Sequence, residues 1–181
     1  MTKTLIEDIQ LYDKVFREYI SKEEIEVIVQ RVADEMNRDL KDKDPLFIFV
    51  LNGVFIFAAD LIRKINTPCG LSFIKVNSYE GMESTNDVKT QIGLRENIKD
   101  RTIVIVEDII DTGNTIHNLL ETLNKEQPRE IKIATLLFKP SAFKRDFKID
   151  YIGREIPRGF VVGYGLDYDD LGRNLSSIYK A

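Results

Sequence analysis

Hydrophobic and polar positions near the start of the chain repeat with the period of an α-helix. Residues 22–38 place apolar side chains along a single stripe, which predicts a helix with one buried face. The stripe consists of Ile25, Ile28, Val29, Val32 and Met36. Ser21 and Glu24 have the spacing of a capping box, so we expect the helix to begin next to Ser21.

Further along, continuous apolar runs of strand length alternate with helical patterns. Runs that are apolar at every position are typical of strands buried on both faces of a sheet. The predicted strands are 46–51, 71–79, 102–110 and 130–139, followed by short strands and turns over 151–168 and an irregular tail. Helices are predicted over 54–65 and from the spacing of Ile116, Leu119, Leu120 and Leu123, and a polar loop over 80–93.

The order of these elements predicts an α/β fold with a central, mainly parallel sheet flanked by helices. Strands that alternate with helices pair in parallel through crossover connections. In such sheets ligands bind beyond the carboxyl ends of the strands. The polar residues at predicted strand ends are Asn52, Gly53, Glu107, Asp108, Asp111 and Lys139. We therefore expect a functional site at this edge of the sheet.

Size and charge narrow the class of protein. The 181 residues suit one domain, and a net charge of −4 argues against a protein that coats nucleic acid. The longest apolar stretch, 45–62, is interrupted by Asn52, Gly53 and Asp60, which favours strand, turn and helix over a membrane span. The first residues lack the apolar region of a signal peptide. We expect a cytoplasmic protein that binds neither membrane nor nucleic acid.

The segment "VEDIIDTGNT" (106–115) carries the most specific chemistry. Its second half lies where a strand turns into a helix, and the free N–H groups of a helix start favour an anion. A glycine that admits close backbone approach and two threonine hydroxyls would suit a phosphate, although an ordinary helix cap explains Asp-Thr-Gly alone about equally well. Glu107 and Asp108 just before it could bind two sugar hydroxyls or act with Mg²⁺.

This segment resembles the motif by which type I phosphoribosyltransferases bind 5-phosphoribosyl 1-pyrophosphate (PRPP). The resemblance implies one domain over 1–181, with a core of about 22–140 and a small hood from about 1–20 and 150–181. It assigns the ribose and 5′-phosphate to Glu107, Asp108, Asp111, Thr112, Gly113, Asn114 and Thr115, and the cofactor Mg²⁺ to Glu107, Asp108 and Asp167. Relatives often have Lys or Arg at the position of Asn114, so this chain lacks that charge.

The remainder of the chain resembles the 6-oxopurine branch of the family, the hypoxanthine–guanine phosphoribosyltransferases. For the purine, the resemblance implies Lys139, Phe160, Val161 and Asp167 as binding residues. For pyrophosphate it implies Asn52, Gly53 and Arg173, with a cis peptide before position 52, where relatives often have Lys. Ser78 and Tyr79 match a lid that closes over the site.

The activity implied by the resemblance is transfer of phosphoribose from PRPP to N9 of hypoxanthine or guanine. Asp111 would be the catalytic residue, managing the proton at purine N7. Two alternatives stay open, namely an enzyme that prefers guanine or xanthine and a regulator that senses PRPP without catalysis. The resemblance also implies a homodimer or homotetramer.

Overall fold

The computed structural model describes residues 8–75 and 96–181. Two strands, β1 (Ile9–Leu11) and β2 (Lys14–Ile20), precede the first predicted element. They are followed by helix α1 (Lys22–Asp39), which begins as predicted. The Ser21 hydroxyl accepts a hydrogen bond from the Glu24 N–H at 3.2 Å, and the Glu24 carboxylate accepts one from the Ser21 N–H at 2.9 Å. The capping box is therefore confirmed.

The later elements match the predicted order of strands and helices. They are β3 (Leu46–Leu51), α2 (Phe55–Ile62), β4 (Gly70–Lys75), β5 (Thr102–Ile110), α3 (Asn114–Leu123), β6 (Glu130–Phe138), β7 (Tyr151–Glu155), β8 (Val161–Val162) and β9 (Ile178–Lys180). The prediction of an irregular tail is wrong at β9, because three residues are too few to show a period. The last residues of the predicted strand 71–79 and the whole of the predicted loop 80–93 lie outside the described residues.

Five strands form the main sheet, in the order β4-β3-β5-β6-β7, and all neighbours in it are parallel. The predicted α/β fold is confirmed. The register places Phe49 of β3 beside Val106 of β5, and Ile110 of β5 beside Phe138 of β6. The carboxyl ends of the three central strands therefore lie together at one edge. The sheet also continues past residue 140, since β7 is its last strand.

The apolar strands divide their side chains between two cores, one on each face of the main sheet. On β3, Phe47 and Phe49 belong to the core that includes α1 and α2, whereas Ile48 and Val50 belong to the core that includes α3. This division explains why the strand is apolar at every position. Within the described part of the chain, no helix combines the length and apolarity needed to cross a membrane.

A second, antiparallel sheet joins the two ends of the described chain. Its strand order is β1-β2-β9-β8, with Arg17 of β2 beside Lys180 of β9 and Val162 of β8 beside Tyr179. β9 is thus flanked by strands on both sides. The sheet connects the start of the chain with the segment that carries Phe160 and Val161.

Candidate active site

The polar residues predicted at strand ends do lie at one edge of the main sheet. Asn52 directly follows β3, and Lys139 directly follows β6. Glu107 and Asp108 belong to the last part of β5, which pairs with both of those strands. Their proximity follows from parallel pairing, while their roles in binding stay predictions.

An ion pair occupies the middle of this edge. Lys139 Nζ donates to Asp111 Oδ2 at 2.8 Å. The lysine is buried, with 9% of its surface exposed, whereas 47% of the Asp111 side chain is exposed. The Lys139 N–H also donates to the carbonyl of Ile110 at 3.0 Å. The pair therefore presents a fixed hydrogen-bond donor beside an accessible carboxylate.

The loop after β5 is braced by residues that follow β6. Gly113 has φ of 83°, in the left-handed region, and a Cβ there would lie 2.7 Å from the Phe143 ring. The Lys144 N–H donates to the Thr112 carbonyl at 3.3 Å. Gly113, at the N-cap position of α3, has no side chain that could cap the helix, and the Asn114 N–H reaches only the Thr112 hydroxyl, at 3.4 Å. The loop has the form expected of an anion cradle.

One contact at this loop involves a residue that the sequence did not predict. Arg145 donates to the side-chain oxygen of Asn114 through Nε at 3.1 Å and Nη2 at 2.8 Å. The two residues are 31 positions apart, and no motif connects them. The guanidinium is therefore held against the first residue of α3.

The two acids of β5, Glu107 and Asp108, lie in an environment that disfavours their charged forms. Glu107 Oε2 is buried and has no hydrogen-bond partner among the described residues. Burial, and secondarily the charge of Asp108, raise the pKa of Glu107 well above its usual range. Burial also raises the pKa of Asp108 to about 6, although its carboxylate accepts a hydrogen bond from the Ile109 N–H at 2.8 Å. Among the described residues, neither carboxylate forms a salt bridge with a cation.

The loop between β3 and α2 packs directly on one of these acids. The Leu51–Asn52 peptide is cis, as the family resemblance implied. A Cβ at Gly53 would fall 1.7 Å from Asp108 Oδ2, so a larger residue would displace the carboxylate. On the other side, a Cβ at Gly165 would fall 2.1 Å from the Gly53 carbonyl oxygen. The loop is therefore enclosed between β5 and the turn at Gly165.

That turn also carries an arginine and an aspartate. Arg173 Nη2 lies 2.8 Å from Asp167 Oδ1, and Nη1 donates to the Gly165 carbonyl at 2.9 Å. The charges of Arg173 and Asp167 both act on the pKa of Asp108, the first lowering it and the second raising it. The structure thus brings the predicted pyrophosphate residues close to an acid predicted to bind ribose or metal.

The predicted purine residues of the second sheet form a separate group. Phe160 is 45% exposed, and its ring lies 5.3 Å from that of Tyr168 in an edge-on arrangement. Val161 is buried in β8. In the part of the chain that the structure describes, no hydrogen bond, ion pair or ring contact joins either residue to Lys139 or Asp111. Phe160 nevertheless offers an accessible aromatic surface.

Two other predictions have limited outcomes. Ser78 and Tyr79, the predicted lid pair, lie outside the described residues. Across 8–75 and 96–181, no three His, Cys, Asp or Glu side chains are grouped so that they could hold a metal ion by themselves. Glu107, Asp108 and Asp167 are therefore not a complete metal site without oxygen ligands from a bound substrate.

Comparison with known proteins identifies the family. The model of the phosphoribosyl transferase domain matches residues 17–169. The chain belongs to the phosphoribosyl transferase family. A hypoxanthine-guanine phosphoribosyltransferase of Bacillus subtilis is 44% identical over 160 residues, which are 88% of this chain and 89% of the relative. One of Staphylococcus epidermidis is 39% identical over the same shares.

Solved structures of the family have the same fold. A crystal structure of a hypoxanthine-guanine phosphoribosyltransferase from Bacillus anthracis, with HEPES in the active site, has a TM-score of 0.85 at 38% identity. The match covers 91% of this chain and 97% of that one. A hypoxanthine phosphoribosyltransferase of Trypanosoma cruzi has a TM-score of 0.82 at 35% identity, over 90% and 94% of the two chains. The resemblance on which the sequence predictions rested is confirmed, and the chain is a phosphoribosyltransferase.

Within this family fold, long-range contacts that the sequence did not predict support the site. The Tyr164 hydroxyl donates to Asp60 of α2 at 2.6 Å, which ties the Gly165 turn to the helix after Gly53. Lys14 donates to the Tyr168 hydroxyl at 2.9 Å and lies 5.6 Å from the centre of the Phe160 ring. These pairs are separated by 104 and 154 positions in the sequence, so no local pattern could have revealed them.

Proposed function

We propose that the protein transfers the 5-phosphoribosyl group of PRPP to N9 of hypoxanthine or guanine, which forms IMP or GMP and releases pyrophosphate. The family membership and the names of the relatives support the class of reaction. The observation that carries the choice of purine is the ion pair between Lys139 and Asp111, because its two partners complement the edge of a 6-oxopurine.

The ammonium of Lys139 can only donate hydrogen bonds, and it is held in place by burial. A 6-oxo group accepts such a bond, whereas the 6-amino group of adenine is itself a donor. Asp111 stands beside the ammonium and can accept a proton from purine N7, which neighbours the 6-oxo group. A donor next to an acceptor therefore favours hypoxanthine and guanine over adenine.

The rest of the purine would bind to the second sheet. The accessible ring of Phe160 is suited to stacking on a base, a contact in which offset or edge-on geometries are favoured. Val161 would offer its backbone groups to the far edge of the purine, and Asp167 lies at the end of the same segment. Whether the enzyme prefers guanine or xanthine depends on these backbone contacts.

The acids of β5 would hold the sugar. Within the described part of the chain, Glu107 and Asp108 form no salt bridge, which leaves carboxylate oxygens to accept hydrogen bonds from the ribose hydroxyls. The loop of Asp111, Thr112, Gly113, Asn114 and Thr115 would receive the 5′-phosphate at the start of α3. These contacts would fix the sugar for attack at its C1 carbon.

The carboxylates also suit a magnesium ion that arrives with PRPP. Mg²⁺ usually takes one or two carboxylates and completes its shell with substrate phosphates and water, which agrees with an incomplete protein site. Glu107, Asp108 and Asp167 would supply the carboxylates, and the ion would neutralise the charge of the departing pyrophosphate. Arg173, Asn52 and Gly53 would bind the pyrophosphate oxygens, for which a guanidinium fork is well shaped.

In the reaction, positive charge grows at C1 of the ribose as the bond to pyrophosphate breaks. Asp111 would hold or remove the proton at N7 while N9 attacks, and the neighbouring ammonium would stabilise negative charge on the 6-oxo oxygen. General acid–base assistance of this kind contributes roughly 10²–10⁴-fold. From the family resemblance we also expect a cytoplasmic homodimer or homotetramer, and light scattering of the purified protein would test the oligomeric state.

The direct test mixes the protein with PRPP, Mg²⁺ and one base at a time while absorbance is recorded. Hypoxanthine and guanine should give nucleotide, and adenine should not. Faster turnover of xanthine would favour the related enzyme that prefers it. Binding of PRPP without turnover of any base would contradict the proposal and favour a PRPP-sensing regulator.

A further inference from the structure

The side chain of Arg145 places a positive charge in direct contact with the loop 111–115, at the end opposite to the ion pair of Asp111 with Lys139. Its Nε and Nη2 both donate to Asn114 Oδ1, at 3.1 and 2.8 Å. Asn114 is the first residue of α3, the helix whose outward-facing N–H groups end the loop. The guanidinium therefore lies one side chain away from the predicted phosphate cradle.

This arginine keeps its charge and most of its donors. A guanidinium has five N–H groups, of which the amide oxygen of Asn114 uses two. Arg145 forms no ion pair with any carboxylate among residues 8–75 and 96–181, whereas Arg31, Arg63 and Arg154 do. Its remaining donors have no acceptor in the same part of the chain. A neutral amide thus holds the group in place without cancelling its charge.

The position of Arg145 is also fixed by the loop itself. A Cβ at Gly113 would lie 3.1 Å from Arg145 Cγ, so the arginine stem packs against the glycine. One residue earlier, the Lys144 N–H donates to the Thr112 carbonyl at 3.3 Å. Because the stem is already ordered, an anion that bound the guanidinium would have less conformational entropy to remove.

The loop has no cation of its own. Its residues are Asp111, Thr112, Gly113, Asn114 and Thr115, and the nearest lysine at its start, Lys139, is engaged by Asp111. A phosphate dianion bound only by N–H groups and hydroxyls next to a carboxylate would lack charge neutralisation. A guanidinium with free donors supplies it, and its fork matches phosphate oxygens.

We infer that Arg145 binds the 5′-phosphate of PRPP and of the product nucleotide, with Asn114 as the residue that positions its guanidinium. The inference rests on the proposed function, in which this loop receives that phosphate. It assigns the positive charge of the phosphate site to the segment after β6 rather than to the loop that follows β5.

The test compares wild type with Arg145→Gln, which keeps a polar side chain and removes the charge. Titration calorimetry with IMP should show affinity lowered about 10- to 100-fold, the range expected for hydrogen bonds to a charged group. In turnover assays KM for PRPP should rise similarly, while KM for hypoxanthine should stay within about twofold. Arg129→Gln is the matched control, because Arg129 is exposed before β6 at the opposite edge of the sheet and should leave IMP affinity unchanged.

A second variant separates the contribution of the positive charge from that of the contact between Arg145 and the loop. Adding Asn114→Lys to Arg145→Gln returns a cation to the loop and should recover most of the lost IMP affinity. Unchanged IMP affinity in Arg145→Gln would overturn the inference, as would equal increases in KM for PRPP and hypoxanthine together with a lowered Tm. IMP titration needs no turnover, so a wild type that binds IMP but converts no purine would refute the proposed function and still test Arg145.

Discussion

Carboxylates at the two edges of the main sheet differ in their hydrogen-bond partners and in the direction of their pKa shifts. At the amino edge, Glu130 of β6 accepts hydrogen bonds from Lys43 at 2.9 Å and from Thr102 at 3.0 Å. Burial alone would raise its pKa, but these two bonds and the charges of Lys43 and Lys132 together lower it. At the carboxyl edge, Glu107 and Asp108 have raised pKa values, and Glu107 Oε2 lacks a partner among the described residues.

The contrast shows at which edge of the sheet the protein's own residues provide partners for the carboxylates. Glu130 is partly exposed and is paired with its neighbours, so it contributes modestly to stability. Glu107 and Asp108 destabilise the free protein and gain only when something else binds them. Acids that are costly to the free protein are expected where a ligand binds, so this contrast supports the proposed site at the carboxyl edge.

The largest expected effect is on catalysis at the carboxyl edge. Asp111→Asn removes the acceptor for the N7 proton, so kcat should fall roughly 10²–10⁴-fold while KM for PRPP changes little. Steady-state assays with hypoxanthine measure both constants. Asp146→Asn, at an exposed acid a few residues after Lys139, is the control and should turn over normally. Full activity of Asp111→Asn would remove the residue from the mechanism.

The next largest effect is expected on the free energy of unfolding when Asp108 is replaced. Its folded pKa of about 6 exceeds the 3.8 of an ordinary aspartate, so the folded state binds the proton more tightly. The stability that protonation provides is present at low pH and is lost as pH rises through about 6, by about 3 kcal/mol. Asp108→Asn should therefore be more stable than wild type at pH 7.5 and nearly equal at pH 4.

Urea unfolding of both proteins without ligand at the two pH values measures this difference. The expected gain appears only at the higher pH, because the wild-type carboxylate is charged only there. An equal difference at both values would show that packing against Gly53, and not the buried charge, decides the stability.

Selectivity for the base should change by a smaller factor. Lys139→Gln removes a charged donor, and kcat/KM for hypoxanthine should fall about 10- to 100-fold. A glutamine amide can turn to accept a hydrogen bond as well as donate one, so discrimination against adenine should weaken. The ratio of kcat/KM for the two bases measures the effect. An unchanged ratio would mean that another group reads position 6 of the purine.

The smallest effect is expected at the amino edge, and its sign is opposite. Glu130→Gln weakens a partly exposed ion pair with Lys43, so the free energy of unfolding should decrease by about 1 kcal/mol or less at neutral pH. Because the folded pKa of Glu130 is lowered, this stabilisation is lost as pH falls. Kinetic constants should not change, and a large loss of activity would break the contrast between the edges.

The sequence could predict the parts of the fold that local patterns encode. The capping box of Ser21 and Glu24 lies within four residues, and the central strands are continuous apolar runs. The edge at which ligands bind follows from strand order alone, since parallel strands end together. The loop 111–115 was accessible through its spacing and its resemblance to a family motif.

The remaining parts depend on contacts between distant residues. β1, β8 and β9 have two or three residues each, too few for any hydrophobic period, and β9 pairs with β2 across most of the chain. The contact between Arg145 and Asn114 spans 31 positions without a motif. The sequence also could not show that Glu107 Oε2 lacks a hydrogen-bond partner among the described residues, because the environment of a charge is a property of the packed structure.

The place of β9 gives residues 178–181 an influence beyond their number. β9 hydrogen-bonds to β2 on one side and β8 on the other, and the Ala181 N–H donates to the Phe160 carbonyl at 3.2 Å. Proteolytic trimming of these residues would leave the parallel sheet its own strands while detaching the backbone beside the aromatic ring. Because Ile178 is also buried in the core, we expect a preparation clipped there to be less stable and to lose affinity for purines more than for sugar phosphates.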